Sequence, residues 1–583
     1  RVERVSLLDN ALTLSGVGAR RSLRADLSLT RAGNARLLQG QLAGDGLRLA
    51  VHADGVGNPL RPLSWSGDVF LDIASAELGD LSALWKSLDW PFSLSGSARA
   101  QFWLSRSAGD SQARLRMNGA DVQVTERGGA WSLPLDVLAF EAGLTQRRNH
   151  WALIAEDFRA EREGQVLDLP RAQFEWWGSA LRLRASELAL DSLPTLLAAA
   201  PGIPQGLRDA LPILAPRGRL ERVELRLDDL GAPAESWSLR GLLIELSVES
   251  WRGAPALTGV SGYLELAPGE GQVQLDAGPF VLGFPRIYDE PLRYEAAWGD
   301  IGLSWDREAL RIDSNLIHTR GPEGDVRALF AVDVPFQPTV TGVQMDLLAG
   351  LANSDARYRS KYIPRVLPPG LLGWLESSIE AGTLNTAGFI WRGSLKKEKT
   401  AHRTVQLFVD VQDARLSFDP AWPALTDLDA TVLVNDGLTR GAASRARILD
   451  AQLDELSVRV VPAPGEALLS VRSKLRGDAT DGHRLLVDSP LADYTRNTFA
   501  DWTMAGDIAG NFALDLPIRR GGARAEIDLA LVLDGVSAGV TALALPVEDV
   551  RGSLLYSSKR GFAGSELQGQ LWSHGINATA PQS

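Results

Sequence analysis

Apolar and polar residues alternate with a period of two along most of this chain. In Val405-Gln406-Leu407-Phe408-Val409-Asp410-Val411 the branched apolar residues take every second position, and Ile527-Asp528-Leu529-Ala530-Leu531-Val532-Leu533 repeats the pattern. Successive side chains of a strand point to opposite faces, so each run predicts a strand with one apolar face. Asn118-Gly119, Asp436-Gly437 and Asp534-Gly535 read as tight turns between neighbouring strands. The pattern therefore predicts an all-β chain of short antiparallel strands in long succession.

Four segments carry helical signals instead: Leu78–Leu88, Leu193–Leu214, Met345–Glu380 and Val487–Thr503. The first sets Leu78, Leu81, Leu84, Trp85 and Leu88 on one helical face. The third has Leu371, Leu372, Leu375 and Ile379 behind the start signal Pro368-Pro369. Each is followed by a glycine-led strand and, later, by a strand phrase opening on proline, at Pro134, Pro255, Pro423 and Pro546. Recurrence at long spacing predicts stacked units. The boundaries expected are an incomplete β unit at 1–77, then helix-plus-meander repeats at 78–191, 192–343, 344–485 and 486–583, the last truncated.

Strands with one apolar face must hide it. Two architectures do so: closed β-sandwiches, or one elongated, curled, mainly antiparallel repeat sheet whose concave side is a hydrophobic groove, with the helices as insertions across its mouth. Period alone does not separate them; the four apolar helices favour the groove. Its candidate lining positions are Val122, Val124, Leu303, Trp305, Leu384, Leu407, Val409, Val411, Leu416, Phe418, Val432, Val434, Leu514, Leu516, Ile527, Leu529 and Leu531. A one-residue slip would invert any one strand.

Composition narrows the function classes. The 583 residues exceed one ordinary core, and 45% hydrophobic with 23% charged content is that of a folded chain. A net charge of −12 with no basic stripe argues against nucleic acid. Cysteine is absent, so disulfides and thiolate chemistry are excluded. No apolar run reaches the roughly 18 residues of a membrane-spanning helix. The chain opens on Arg1-Val2-Glu3-Arg4 in strand-like alternation, and reading it as a piece of a longer protein puts any anchor outside it.

Catalytic signals are weak. Gly535-Val536-Ser537-Ala538-Gly539 has the spacing of a nucleophile elbow, which needs a strand-to-helix turn in a parallel sheet; here it reads as lying at a hairpin ahead of the phrase at Pro546. His52, His150, His318, His402, His483 and His574 are scattered without metal-ligand spacing, and no phosphate loop occurs. Asp228-Asp229 and Asp289-Glu290 read as solvated turns. The chain is read as a non-enzyme without cofactor or metal. One basic cluster stands out: Arg357, Arg359, Lys361 and Arg365, interleaved with Tyr358 and Tyr362, just ahead of an apolar helix. It suits either contact with phosphate headgroups at a groove rim or a solvated face paired with nearby acids.

Tyr362-Ile363-Pro364, the helix residues Leu372-Gly373-Trp374-Leu375, Ile379, Gly382 and Gly393-Ser394-Leu395 resemble the YhdP branch of the AsmA-like proteins. Ala414-Arg415-Leu416-Ser417-Phe418 with Trp422-Pro423-Ala424-Leu425, and upstream Trp251-Arg252-Gly253-Ala254-Pro255-Ala256-Leu257 and Phe284-Pro285, fit the same family. The chain departs from it at Lys396-Lys397-Glu398-Lys399, where members carry a Phe-Pro-rich strand start. The resemblance implies a bridge-like lipid transfer protein of the Gram-negative envelope, periplasmic and anchored to the inner membrane by a segment outside this chain. It implies phospholipid acyl chains as cargo, an outer membrane or outer-membrane partner as receiver, and no nucleic acid. The alternative, from related AsmA-like proteins, is a scaffold that assists outer-membrane protein assembly or secretion, binding client strands at a sheet edge.

Overall fold

The computed structural model describes the chain apart from residues 1–2, 15–20, 45, 58–64, 76–77, 79–91, 108–109, 127, 148–149, 193, 195–204, 252–253, 397, 464–465, 495–498, 520–524, 541–544 and 582–583. Strands dominate it, and the fold is all-β and antiparallel with a few helices. The backbone forms two compact units, Arg1–Leu282 with Asp300–Leu310, and Gly283–Gly299 with Arg311–Ser583. In the first, each strand from Arg4–Leu14 to Glu270–Ala277 pairs with the next in sequence. In the second, the same holds from Ile317–Gly321 to His574–Thr579. Each unit is thus built on a simple meander.

Asp436-Gly437 is the hairpin expected: Asn435 pairs with Leu438, and both turn residues have positive φ, 47° and 89°. The other two turn signals lie inside strands. Asn118-Gly119 is in the middle of Asp110–Glu126, where a Cβ on Gly119 would come within 2.5 Å of Val122 Cγ2, so close packing requires the glycine. Asp534-Gly535 sits in Glu526–Val540, at a bulge with Gly535 at φ 66°.

Helices are shorter than the sequence pattern predicts. Gln344–Asp355 is a strand, followed by a 3-10 turn at Ala356–Lys361, and the helix is confined to Pro369–Ser378. Leu348 hides the alternation: it is a large apolar residue on the outward parity, beside the inward Leu347, Ala349 and Leu351, and the doubled apolar pattern imitates a helix. The last helix begins earlier, at Ala479, because the Asp478 carboxylate accepts from Thr480 N–H at 2.7 Å and caps it; it ends at Asp488, with a short turn at Leu491–Tyr494 and a strand from Trp502. Gln205–Leu214 is helical within the second segment; residues 79–88 of the first lie outside the described residues.

Bulges interrupt the strands repeatedly, and many seat an acidic residue at positive φ, among them Asp9, Asp121, Asp157, Glu245, Asp413, Asp427, Glu455 and Asp549. An extra residue bends the strand and restores its apolar face on the opposite parity. Asp tolerates this left-handed conformation better than bulkier residues. At Asp413 the N–H donates to Asp429 Oδ1 at 2.9 Å, and Arg445 in turn pairs with Asp429 at 3.1 Å. Asp413→Val is expected to destabilise the second unit by about 1–2 kcal/mol in urea unfolding, the cost of a branched side chain in that region, whereas Asp413→Gly stays close to the parent.

Candidate functional site

Residues directly opposite in an antiparallel pair share a face, so a chain of pairings traces a line across the strands. In the first unit one such line runs Val5, Leu29, Leu38, Ala53, Val69, Leu104, Ala113, Leu144, then Leu153, Phe174, Leu183, Leu225, Leu239, Leu266 and Gly271. It crosses every strand from Arg4–Leu14 to Glu270–Ala277 without a polar side chain. Fourteen inter-strand steps give about 65 Å, several times the ~15 Å apolar depth of one bilayer leaflet.

The second unit has its own line: Ala297, Thr319, Val326, Leu351, Ala387, Val409, Val432, Gly441, Val458, Val471, Leu514 and Ile527. Its one polar side chain, Thr319, spends its hydroxyl on Val326 O at 3.3 Å. Most residues of both lines are only half-buried. The apolar surface is ordered, continuous and still in part open to solvent.

Beyond the bulges the same strands close into packed clusters. Leu78, Met117, Val122, Leu135 and Leu138 form one, and Ala414, Leu428, Ala443, Ala446 and Leu456 another. A bulge marks the boundary between line and cluster in the strands of Val122 and Val411, but the first line also runs through a cluster: Leu153 is buried with Trp151 and Trp176, and Leu144 and Phe174 pack against them.

The sequence-derived groove positions divide along this boundary. Val409, Val432, Leu514 and Ile527 lie on the second line; Leu407, Val434 and Leu516 lie on the parallel line beside it. Leu384 and Val411 oppose each other on the other side, Leu529 faces Phe512 and Tyr556, and Leu531 faces Gly510 and Leu554. Val122, 1% exposed, is sealed in a cluster with Val124 against it, and Leu416 borders the other. The change of parity from Val411 to Leu416 is absorbed by the bulge at Asp413. Phe418 falls past the strand end at Leu416 and packs on Trp422 instead, its carbonyl accepting from Trp374 Nε1 at 2.9 Å. Leu303 and Trp305 belong to the first unit, where Trp305 stacks on Trp237.

None of the sequence-derived positions lies on the first line. Its signal is present in Phe102 and Leu104, or Leu153 and Phe174, but Trp103 and Ile154 on the opposite parity blur the alternation.

The four basic residues near 360 are occupied by the protein. Lys361 Nζ donates to Glu323 Oε1 and to Arg293 O, both at 2.5 Å, and lies 4.2 Å from the Tyr294 ring centre. Arg365 pairs with Asp289 at 2.9 Å, and Arg359 donates to Glu376 O at 2.8 Å. Arg357 lies over the Tyr358 ring, 3.9 Å from Asp355. Glu323 is fully buried and also accepts from Tyr362 Oη at 2.5 Å. Burial pushes the Tyr294 hydroxyl up to about 12 and the Tyr362 hydroxyl above the usual tyrosine range, so both remain neutral. The group ties the 3-10 turn to the 292–294 strand and the turn at 321–324.

The outward face carries charge. In the first unit Arg184, Glu224 and Arg240 oppose one another on three strands, the arginines reaching Glu224 at 2.9 and 2.6 Å. Burial raises the Glu224 pKa, but hydrogen bonds and charge from Arg240 and Arg184 outweigh it and hold the carboxyl at about 2. A depressed folded pKa gives stability present above the unfolded value, near 4.3, and lost as pH falls toward 2. Glu224→Gln is expected to remove that portion of the acid sensitivity, read as a flatter dependence of the urea midpoint between pH 4.5 and 2.

Ser537 of the Gly-x-Ser-x-Gly stretch is in a strand and bonds Ala505 O, without the strand-to-helix turn an elbow needs. Among the described residues no three His or carboxylate groups gather as metal ligands, and no helix is long and apolar enough to cross a membrane.

The family described as YhdP protein matches residues 4–583 of the chain. The intermembrane phospholipid transporter YhdP of Escherichia coli (strain K12) is 22% identical over 454 residues, 73% of this chain and 34% of that protein. The chain thus spans about a third of the relative it matches. No solved structure matches it.

Proposed function

This chain belongs to the YhdP family, and from that premise we propose that its apolar lines hold phospholipid acyl chains as one stretch of a conduit between the two membranes of a Gram-negative envelope. The observation that carries the proposal is the uncharged line that crosses fifteen consecutive strands in the first unit and has its counterpart in the second. Each methylene taken out of water is worth about 0.8 kcal/mol, so an acyl chain laid along part of a line is held without a specific pocket. A line of similar Leu, Val, Ala and Phe side chains offers similar affinity at each step. Movement along it then needs no catalytic residue, only a free neighbouring site.

The headgroup stays at the open margin, where it keeps its water. In the full-length protein the periplasm is the proposed compartment, with the inner membrane holding it through a segment outside this chain and the outer membrane or a partner there receiving the lipid. The test is native mass spectrometry with lipid extraction on the chain purified from a Gram-negative envelope. Several phospholipids bound per folded chain are expected; a folded chain free of lipid contradicts the proposal.

A further inference from the structure

On the outward face of the second unit most positions are polar, as in the line Asp325, Ala352, Thr386, Asp410 and Thr431. One neighbouring line differs. Trp298 pairs with His318 and stacks on it at 5.3 Å with the rings 5° from parallel. The line continues through Arg327, Gly350, Gly388, Phe408 and Leu433 to Arg440. The next line on the same face adds Leu329, Leu348 and Ile390.

These side chains are exposed by 37% (Ile390) to 50% (Leu348) and stand together on adjacent strands. A Cβ built at Gly388 meets nothing within 4 Å, so the two glycines leave an open shelf between Leu348, Ile390 and Phe408. Exposed aromatic and aliphatic groups beside arginine are the composition of interface hot spots rather than of a solvated face.

Charge indicates what covers it. Arg392 and Arg472 on this face pair with Asp346 and Asp515. Arg327 and Arg440, at the two ends of the apolar shelf, make no ion pair within 4 Å among the described residues. Five strand steps separate them, about 24 Å, the length of a helix of about 16 residues.

We propose that this shelf docks a protein segment: an amphipathic helix of about four turns lying across the strands, apolar where it meets Leu348, Ile390, Phe408 and Leu433, with carboxylates at its ends over Arg327 and Arg440. An anionic bilayer is the poorer fit. Its phosphates would press on Asp325, Asp346 and Asp410 of the same face as well as on the arginines, whereas a helix sets its carboxylates over the arginines alone. The surface is separate from the apolar lines, so its use and lipid holding stand or fall independently.

The test uses the whole chain and two labelled 16-residue helical peptides with the same leucine face, one ending in glutamates and one in lysines. Fluorescence anisotropy is expected to show binding of the glutamate peptide, at least tenfold weaker with Arg327→Glu/Arg440→Glu. That double variant should instead prefer the lysine peptide, while its retained lipid is unchanged. Phe408→Ser/Leu433→Ser should lose both peptides. Equal binding of the two peptides, binding of neither, or a reversal-sensitive preference for phosphatidylglycerol vesicles over the glutamate peptide would overturn the proposal.

Discussion

An aspartate at Val409 is expected to interrupt the lipid line of the second unit. Val409 sits between Ala387 and Val432 on that line, with Leu407 and Val411 two residues away on the same face. An ionised carboxylate there can neither be solvated under an acyl chain nor paired, because the adjoining positions offer no cation. A penalty of even 1.4 kcal/mol is tenfold in occupancy, and the desolvation of a charge exceeds that. Phospholipid captured by a photoreactive residue at Val432 should therefore fall at least about tenfold in Val409→Asp. Gln412→Asp, on the exposed opposite face of the same strand, should leave capture unchanged. Equal losses in both variants would point to a folding defect; no loss in either would remove the line from the lipid path.

The second large effect is on stability. Glu323 is buried and receives Lys361 and Tyr362, while Lys361 also donates to the Arg293 carbonyl and lies over the Tyr294 and Tyr362 rings. Deleting one partner of a buried pair strands the other charge and costs about 3–5 kcal/mol. Glu323→Ala and Lys361→Ala are each expected to lower the urea midpoint of the second unit accordingly. Replacing both by methionine should recover most of the loss, because the desolvation penalty leaves together with the attraction. The 3-10 turn at 356–361 should lose hydrogen-exchange protection first in the single variants. Single losses below about 1 kcal/mol would mean that the pair is solvated rather than buried.

Much of the fold is written in the period-two alternation. Val405, Leu407, Val409 and Val411 announce their strand by falling on every second position, with Gln406 and Asp410 on the other parity beside the apolar Phe408. The alternation fails where both faces are apolar. Leu347-Leu348 and Phe102-Trp103 present large side chains to both sides, so one strand reads as a helix and another yields no candidate. Single-residue signals fail where packing uses them otherwise: Gly119 admits Val122 and Gly535 serves a bulge, yet both look like turns. The last helix starts at Ala479 behind its Asp478 cap, eight residues before the Val487 expected from the sequence.

The candidate site was legible as a face and not as a line. Sequence gives which residues of one strand share a side; which residue of the next strand stands opposite depends on bulges, and those are set by backbone geometry at residues such as Asp413 and Glu455. Val122 illustrates the limit. It alternates as well as Val409 does, but it lies beyond the bulge at Asp121, in a stretch that packs against Leu78. The basic cluster shows the complement. Lys361 reads as a surface charge, and only its pairing with a glutamate 38 residues earlier makes it a structural one.

The central claim is that the apolar lines, and not the outward face, meet acyl chains. The most direct measurement places a photoreactive residue in turn at Leu144 and Phe174 in the first unit, at Val409 and Leu514 in the second, and at Gln412 and Thr145 on the outward face. The chain is then irradiated in the envelope and the adducts are read by mass spectrometry. Phospholipid adducts at all four line positions and neither outward position are the predicted result. Adducts at both faces alike, or at none of the line positions in a folded chain, would contradict it.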